Sequence, residues 1–219
     1  MIRNLKILGL PLVAILAMSM AVMASTASAV EFHSESAHTT LEGEQTEPTE
    51  FVFEAGTVIC EETVYQRTQE SKTTAEVILE PEYVGCTSGG ASVTISTNGC
   101  VYRLYEGEKV AEGYDFLTDI VCPENQVIDV HTTDAAKTLK CTITIPGQVK
   151  RKKVTYTNKG IGVNRDVLAH IHYSGTQYYQ HKGTAAGSCT TGTFEKGTKR
   201  ATVTTRGYFE TFQVGVWVE

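Results

Sequence analysis

The chain has 219 residues, of which 41% are hydrophobic and 20% charged, and it carries 19 basic against 25 acidic side chains. This hydrophobicity with a net charge of −6 excludes a wholly disordered chain, and the acidic balance argues against general nucleic-acid binding. Thr and Val number 31 and 22, and these β-branched residues together with 10 Tyr favour sheet over helix.

The N-terminal segment has the layout of a secretory signal peptide. Arg3 and Lys6 precede a long apolar stretch, and the small residues after it contain the cleavage motif Ala27-x-Ala29. The stretch is about long enough for a short membrane anchor, but the cleavage motif favours a signal peptide. We therefore predict residues 1–29 as a signal peptide, followed by a secreted mature chain with 17 basic and 25 acidic residues, a formal charge of −8 and no membrane span.

Residues 30–50 are predicted to be a flexible acidic leader. From Val30 to Val64 there are nine Glu and no Lys or Arg, and no apolar periodicity is present up to Glu50. A solvated extension is the favoured interpretation, and an interaction tail is the alternative. The folded domain is expected to begin near Phe51.

Six cysteines, all in the mature chain, predict three disulfide bonds. A zinc site would need closely spaced cysteine pairs, and no two of these cysteines are closer than fourteen residues. Among the pairings that six cysteines allow, we predict Cys60 with Cys86, Cys122 with Cys141, and Cys100 with Cys189.

A β-hairpin is predicted around Asn98-Gly99. The strand-like segments 91–97 and 100–105 flank these two residues, and Asn-Gly is typical of the two-residue turn that needs positive φ. Pairing across such a turn puts one face of both strands in the core. The residues of that face are Val93, Ile95, Cys100, Tyr102 and Leu104.

Further strand-like segments follow this hairpin. Residues 126–131 and 138–145 predict a second antiparallel pair, later segments with strand propensity extend to residue 218, and none shows a 3.6-residue period. We therefore predict an all-β, antiparallel β-sandwich over residues 51–219, of jelly-roll or immunoglobulin-like order and stapled by disulfides. It forms either one domain or two lobes divided near 137–159.

Three short motifs lie along this region: Pro81-Glu-Tyr83-x-x-Cys86, Asn98-Gly-Cys100-x-Tyr102 and Cys141-Thr-Ile-Thr-Ile145. With them the chain resembles a group of uncharacterised exported, cysteine-bearing, β-rich proteins of actinobacteria. The resemblance covers most of the mature chain and implies export, disulfides and β architecture. It implies no activity and no functional residue.

Three histidines form a candidate metal site. The i, i+2 spacing places His170 and His172 on one side of a strand. A turn at Ser174-Gly175 would bring His181 of the following strand to that same side. Three such imidazoles predict a site for zinc or copper. The favoured alternative is that this strand simply faces solvent and that its outward residues are polar for that reason.

Tyr173, Tyr178 and Tyr179, with Tyr156 and Trp217, form a candidate aromatic surface. Aromatic rings combine an apolar face with a polar tip, so a glycan or a protein is the partner predicted for this surface. Half-buried tyrosines of an ordinary sheet are the alternative.

Lys150, Arg151, Lys152 and Lys153 form a candidate site for an anionic ligand. The ligands that fit its charge are an anionic polysaccharide, a phosphate-rich wall polymer or a membrane surface. A solvated charged edge that resists aggregation is the favoured interpretation.

Enzyme signatures are mostly absent. The sequence contains no Gly-x-Ser-x-Gly, Ser-x-x-Lys or His-Glu-x-x-His motif and no phosphate-binding glycine loop. The leading hypothesis is a secreted, non-enzymatic β-sandwich that binds a glycan, a wall polymer or a protein, with no nucleic-acid partner and no cofactor. The alternative is a secreted metal-dependent hydrolase or metal-binding protein that uses the histidine face.

Overall fold

The computed structural model describes residues 30–53, 56–133, 139–173, 178–182, 192–194, 198–209 and 212–219, with side chains over 30–53, 56–133, 142–149, 154–170 and 213–219. Within these ranges every regular element is a strand, apart from a single 3₁₀ turn at Gly162–Asn164. The strands are β1 (Phe32–Ser34), β2 (Thr39–Gln45), β3 (Thr49–Phe53), β4 (Gly56–Gln69), β5 (Thr73–Thr74), β6 (Val77–Ser88), β7 (Ala91–Ser96), β8 (Val101–Val110), β9 (Gly113–Val121), β10 (Val127–Thr133), β11 (Leu139–Pro146), β12 (Gln148–Lys159), β13 (Asp166–Tyr173), β14 (Tyr178–Lys182), β15 (Gly192–Phe194), β16 (Thr198–Phe209), β17 (Phe212–Val214) and β18 (Val216–Val218).

The larger sheet closes on itself through antiparallel pairs. β4 pairs with β6, and the pairings continue through β8, β9, β12 and β13 to β16. β16 pairs with both β2 and β3, and these two strands pair with β4, which completes the circuit. Alternate residues of each strand point inward. They enclose the first core cluster, which includes Leu41, Tyr65, Leu104, Phe116 and Tyr156.

The first and last strands meet beside this interior. β1 pairs with β18 on one side and with β5 on the other, which gives a three-stranded sheet. The backbone amides of Glu31 and Glu219 donate to each other's carbonyl oxygens at 2.8 and 3.1 Å. Phe32, Val216 and Val218 are buried in the first core cluster, so both ends of the described chain contribute to the same core.

A second layer packs on the outside of the circuit. β7 joins β6 at Ser88↔Ala91, and the sheet continues from β7 through β10, β11 and β14 to β15. Inward residues of β7, β10 and β11 contact those of β3, β4 and β6. The second core cluster between these two faces includes Phe53, Val58, Val93, Val130 and Ile143. The predicted all-β, antiparallel fold is therefore confirmed, with two sheet faces packed against each other.

The predicted flexible leader over residues 30–50 is wrong, because this segment forms β1, β2 and the start of β3. Leu41 is 2% exposed, and Thr39 and Thr49 are fully buried. In β2 the inward positions are Thr39, Leu41 and Gly43, and Glu44 points to solvent. Burial therefore alternates along β2 with a period of two. Hydropathy does not alternate, because two of the three inward residues are not hydrophobic.

At Asn98-Gly99 the predicted turn is confirmed, but the predicted pairing of the strands on either side of it is wrong. Both residues have positive φ, 50° and 78°, and the amide of Cys100 donates to the carbonyl oxygen of Thr97 at 2.8 Å. However, β7 and β8 do not pair: β7 pairs with β10 and β6, and β8 pairs with β6 and β9. The turn connects the two layers rather than neighbouring strands. The predicted buried face nevertheless holds for Val93, Cys100, Tyr102 and Leu104, and Ile95 packs against the second core cluster.

The predicted pair between 126–131 and 138–145 is confirmed. β10 and β11 are antiparallel, with Ile128 opposite Ile145 and Val130 opposite Ile143. All four side chains are buried in the second core cluster.

Two disulfide bonds are present among the described residues. Cys60–Cys86 joins directly opposed positions of β4 and β6, as predicted. Cys100 is bonded to Cys122, so the predicted pairings of Cys122 with Cys141 and of Cys100 with Cys189 are wrong. Because the ends of β8 and β9 lie opposite each other, the residues one step beyond them are adjacent, with a Cα–Cα distance of 4.0 Å. The side chain of Cys141 and the whole of Cys189 lie outside the described residues.

Candidate functional site

A cleft opens where β4 and β6 separate. The two strands are paired from Ile59↔Thr87 to Gln66↔Glu80. Beyond that point β6 pairs with β8 on its far side, and β4 continues to Gln69 alongside β2. The space between them is a cleft of about 260 Å³, slightly below the size usual for drug-sized ligands.

One wall of the cleft is apolar and continuous with the protein interior. Leu41 and Val77 line the cleft, and they also line a void of about 10 Å³ inside the first core cluster. Both side chains are buried, at 2% and 5% exposure. These two side chains therefore form the floor of the cleft, and only a small part of each is accessible from it.

Gln69 lines the cleft, and its side chain carries a buried hydrogen-bond acceptor without a partner in the described part of the chain. The side chain is 4% exposed, and its Nε2 donates to the carbonyl oxygen of Ser71 at 2.8 Å and to Oγ of Ser34 at 3.3 Å. Its Oε1 is buried and has no hydrogen-bond partner among the described residues. A buried acceptor without a partner costs about 1–3 kcal/mol, and because this oxygen is closed to solvent it is not open to a ligand in the cleft.

The rim of the cleft carries more negative than positive charge. Glu70, Glu76 and Arg67 line it. The guanidinium of Arg67 is already paired with Glu80, with Nη1 to Oε1 at 3.1 Å, and Nδ1 of His38 donates to Oε2 of Glu70 at 2.8 Å. Two carboxylates and one guanidinium therefore line the cleft, and the guanidinium and one of the carboxylates already have partners outside the lining.

The segment that connects β4 to β6 is held in place by its own hydrogen bonds. The hydroxyl of Thr74 donates to the carbonyl oxygen of Glu76 at 2.7 Å, and that of Ser71 donates to the carbonyl oxygen of Thr73 at 2.5 Å. The amide of Ser34 in β1 donates to the carbonyl oxygen of Lys72 at 2.8 Å. These bonds tie the outer wall of the cleft to itself and to β1.

The hairpin on which the predicted metal site depended does not form. β13, which carries His170 and His172, pairs with β12 and β16, whereas β14, which carries His181, pairs with β11 and β15. Position 170 lies opposite Thr155 and is exposed, and position 181 lies opposite Thr142. Among the residues with described side chains no group of three or more metal-ligating residues occurs, and the side chains of His172 and His181 lie outside this set.

The residues of the predicted aromatic surface are spread over separate parts of the fold. Tyr173 is in β13, whereas Tyr178 and Tyr179 are in β14, which does not pair with it; the side chains of all three lie outside the described set. Tyr156 is buried in the first core cluster, and burial raises its pKa. Trp217 is half-buried, with the guanidinium of Arg165 4.1 Å from its ring centroid and the ring of His33 stacked on it at 5.3 Å.

The predicted anionic-ligand patch lies on a strand rather than on a loop. Lys150, Arg151, Lys152 and Lys153 are consecutive in β12, next to an irregularity in its pairing with β9 between Gln148 and Lys152. Their side chains lie outside the described set, so the patch stays a prediction.

The cleft itself was not predicted from the sequence. Its residues come from β2, β4, β5 and β6 and from the turns on either side of β5, and no short motif joins them. The one available signal was Gln69-Glu70-Ser71, a polar run at the end of a strand-like segment, which is also common in ordinary turns.

Comparisons with known proteins found no relative of this chain. The part of the chain that the structure describes contains no helix long and apolar enough to span a membrane. No family model matches the sequence, and neither the curated proteins nor the solved structures yield a match.

Proposed function

We propose that the protein is a secreted, non-enzymatic binding module for a glycan, a wall polymer or a protein, and that the cleft between β4 and β6 is its ligand site. The observation that carries this proposal is the cleft of about 260 Å³ itself, which is lined by both apolar and polar side chains. A recess of this kind, with an apolar wall and a few placed polar groups, is typical of a binding site.

Two further observations support the extracellular part of the proposal. The N-terminal sequence has the layout of a signal peptide, and Cys60–Cys86 and Cys100–Cys122 are disulfide-bonded. Disulfides persist in oxidising compartments and are rare in reducing ones.

The test compares surface binding by the mature protein and by a variant with a filled cleft. Thr68 is exposed and lines the cleft, so Thr68→Trp fills it without changing any charge. Thr87 is an exposed threonine of β6 outside the cleft, so Thr87→Trp is the matched control. Each protein is applied to immobilised glycans, cell-wall polymers and extracellular proteins, and bound protein is quantified.

We expect at least one of these surfaces to retain the native protein and the Thr87→Trp control, and Thr68→Trp to lose about tenfold in affinity, equivalent to about 1.4 kcal/mol. Equal retention of both variants would show that the ligand site lies elsewhere. If the native protein is retained by no surface, the binding function itself is wrong.

A further inference from the structure

The turn between β12 and β13 holds two aliphatic side chains out in solvent. Ile161, directly before the 3₁₀ turn, is 84% exposed, and Val163 within it is 52% exposed. Single exposed hydrophobic residues are ordinary on a protein surface, whereas neighbouring ones mark an interaction site. The other exposed large hydrophobic residues among the described side chains all lie on strands: Val52, Ile59, Val84, Val121 and Val149.

This turn is held in a fixed shape by close backbone contacts. The amide of Asn164 donates to the carbonyl oxygen of Ile161 at 3.2 Å. Gly160 has a φ of 71°, and a Cβ at that position would collide with the carbonyl oxygen of Asn164. The amide of Val216 in β18 donates to the carbonyl oxygen of Arg165 at 3.2 Å, which ties the turn to the three-stranded sheet. The fold itself therefore holds the aliphatic side chains outward.

Cations flank the aliphatic pair on both sides. Lys159 is exposed at the end of β12, Arg165 follows the 3₁₀ turn, and no residue between them is charged. The guanidinium of Arg165 lies 4.1 Å from the ring centroid of the half-buried Trp217. Asp166 is the first carboxylate after the turn and lies opposite Lys159 in the β12–β13 pairing. The turn therefore combines an apolar tip with cationic and aromatic groups at its base.

These three features together distinguish between the possible partners of the turn. A phospholipid bilayer accepts protruding aliphatic groups at its acyl boundary, attracts cations to its phosphates and favours tryptophan at its interface. An anionic polymer or a free phosphate matches the cations alone and leaves the aliphatic tip in contact with polar groups. A bilayer is therefore the partner that uses all three features.

We propose that the β12–β13 turn is a membrane-docking loop, with which the protein binds reversibly to the surface of a phospholipid bilayer. Ile161 and Val163 enter the acyl boundary, and Lys159 and Arg165 stay at the level of the phosphates. Binding is reversible because the inserted apolar surface is small. The lining of the cleft includes no residue of this turn, so the inference does not depend on the proposed function of the cleft.

The test is co-sedimentation of the mature protein with vesicles of phosphatidylcholine, alone or mixed with phosphatidylglycerol. Ile161→Ser and Val163→Ser each remove an aliphatic group from the turn. Val149→Ser is the matched control, because Val149 is 76% exposed but lies at the opposite end of β12. Thr68→Trp, which fills the cleft, is the second control. Thermal unfolding of each variant checks that the fold is kept.

We expect both kinds of vesicle to bind the native protein and the two controls equally well. Ile161→Ser should lose about tenfold in partitioning, and Val163→Ser, whose side chain is less exposed, about threefold. Binding should persist at high salt, because salt screens attraction by the cations but not apolar insertion. No binding of the native protein, equal losses in Val163→Ser and Val149→Ser, or complete release by salt would overturn the inference.

A second copy of the chain is the alternative partner that the same variants detect. Light scattering without vesicles measures the size of the native protein and of Ile161→Ser. We expect the two proteins to have the same size. If the native protein self-associates and Ile161→Ser is monomeric, the turn is a contact between copies and the membrane inference is wrong.

Discussion

Asp119 is a buried carboxylate whose charge is balanced by partners inside the fold. It is 1% exposed, its Oδ2 accepts from Nη2 of Arg103 at 2.5 Å, and its Oδ1 accepts from the hydroxyl of Tyr105 at 3.1 Å. The hydrogen bond to Asp119 raises the pKa of Arg103. A buried carboxylate needs such partners because an isolated charge loses its hydration, so this cluster has a structural explanation and requires no ligand.

Two buried tyrosines are expected to lower the free energy of unfolding at alkaline pH. Burial raises the pKa of Tyr102, whose hydroxyl lies 2.8 Å from that of Tyr83, and burial also raises the pKa of Tyr156. The unfolded chain releases these protons at about pH 10, whereas the folded chain keeps them. Their contribution to stability is therefore complete below about pH 10 and is lost progressively as the pH rises further.

The variant Tyr156→Phe tests this dependence. It keeps the ring that packs edge-on against Phe32 and Phe116 and removes the ionisable hydroxyl. In urea unfolding between about pH 8 and pH 11, we expect the midpoint of the native protein to fall above about pH 10 and that of Tyr156→Phe to fall less. Parallel pH profiles for the two proteins would show that ionisation of Tyr156 does not contribute.

At the scale of elements, β2 explains why part of the fold escapes sequence analysis. The buried hydroxyl of Thr39 in β2 donates to the carbonyl oxygen of Ser36 at 2.6 Å, and Oε1 of Gln45 at the end of β2 accepts from the buried Thr49 at 2.7 Å. Burial of threonines is inexpensive when their hydroxyls are paired in this way, so a core strand can be built with few hydrophobic residues. Hydrophobic periodicity detects β10 and β11, whose inward residues are Ile and Val, but it does not detect β2.

The variant Leu41→Ala tests whether β2 belongs to the folded core. Leu41 is 2% exposed and packs in the first core cluster, so its truncation should destabilise the protein by about 2–5 kcal/mol. The adjacent Thr40 is exposed, and Thr40→Ala should change stability by less than about 0.5 kcal/mol. Chemical denaturation of the two variants measures the difference; a neutral Leu41→Ala would show that Leu41 does not contribute to the stability of the core.

The candidate site could not be predicted from the sequence because it depends on which strands lie side by side. The alternation of residues predicts which side chains face inward, as it does for Val93 and Tyr102, but it does not say which strand lies beside which. Asn98-Gly99 forms the predicted turn, yet its flanking strands enter different sheets. The cleft exists because β4 and β6 part after Gln66 and Glu80, and a point of separation between distant strands has no local signature.

At the scale of the whole molecule, disulfides fasten the strands of the closed circuit. Cys60–Cys86 joins β4 to β6, and Cys100–Cys122 joins the ends of β8 and β9. Cys141 and Cys189 are the two cysteines that these bonds leave over. The even number of cysteines therefore predicts that they are bonded to each other in an oxidising compartment.

Peptide mapping by mass spectrometry without reduction tests this pairing. We expect three linked peptide pairs, Cys60 with Cys86, Cys100 with Cys122, and Cys141 with Cys189. The double variant Cys100→Ser/Cys122→Ser should lose about 3 kcal/mol of stability, because a loop of 22 residues is no longer closed. A free thiol at Cys141 or Cys189, or a shuffled pair, would contradict the predicted pattern.

The pairing of β1 with β18 has a consequence for how the chain acquires its structure. Phe32 lies opposite Val218, and both side chains fill the same core, so the interior is complete only when strands from opposite ends of the described chain have met. Contacts between such distant positions form slowly, because a very long loop must close before they contribute. The β1–β18 pair is therefore expected to form after the pairs between strands that are close in the sequence, so that the interior is completed last.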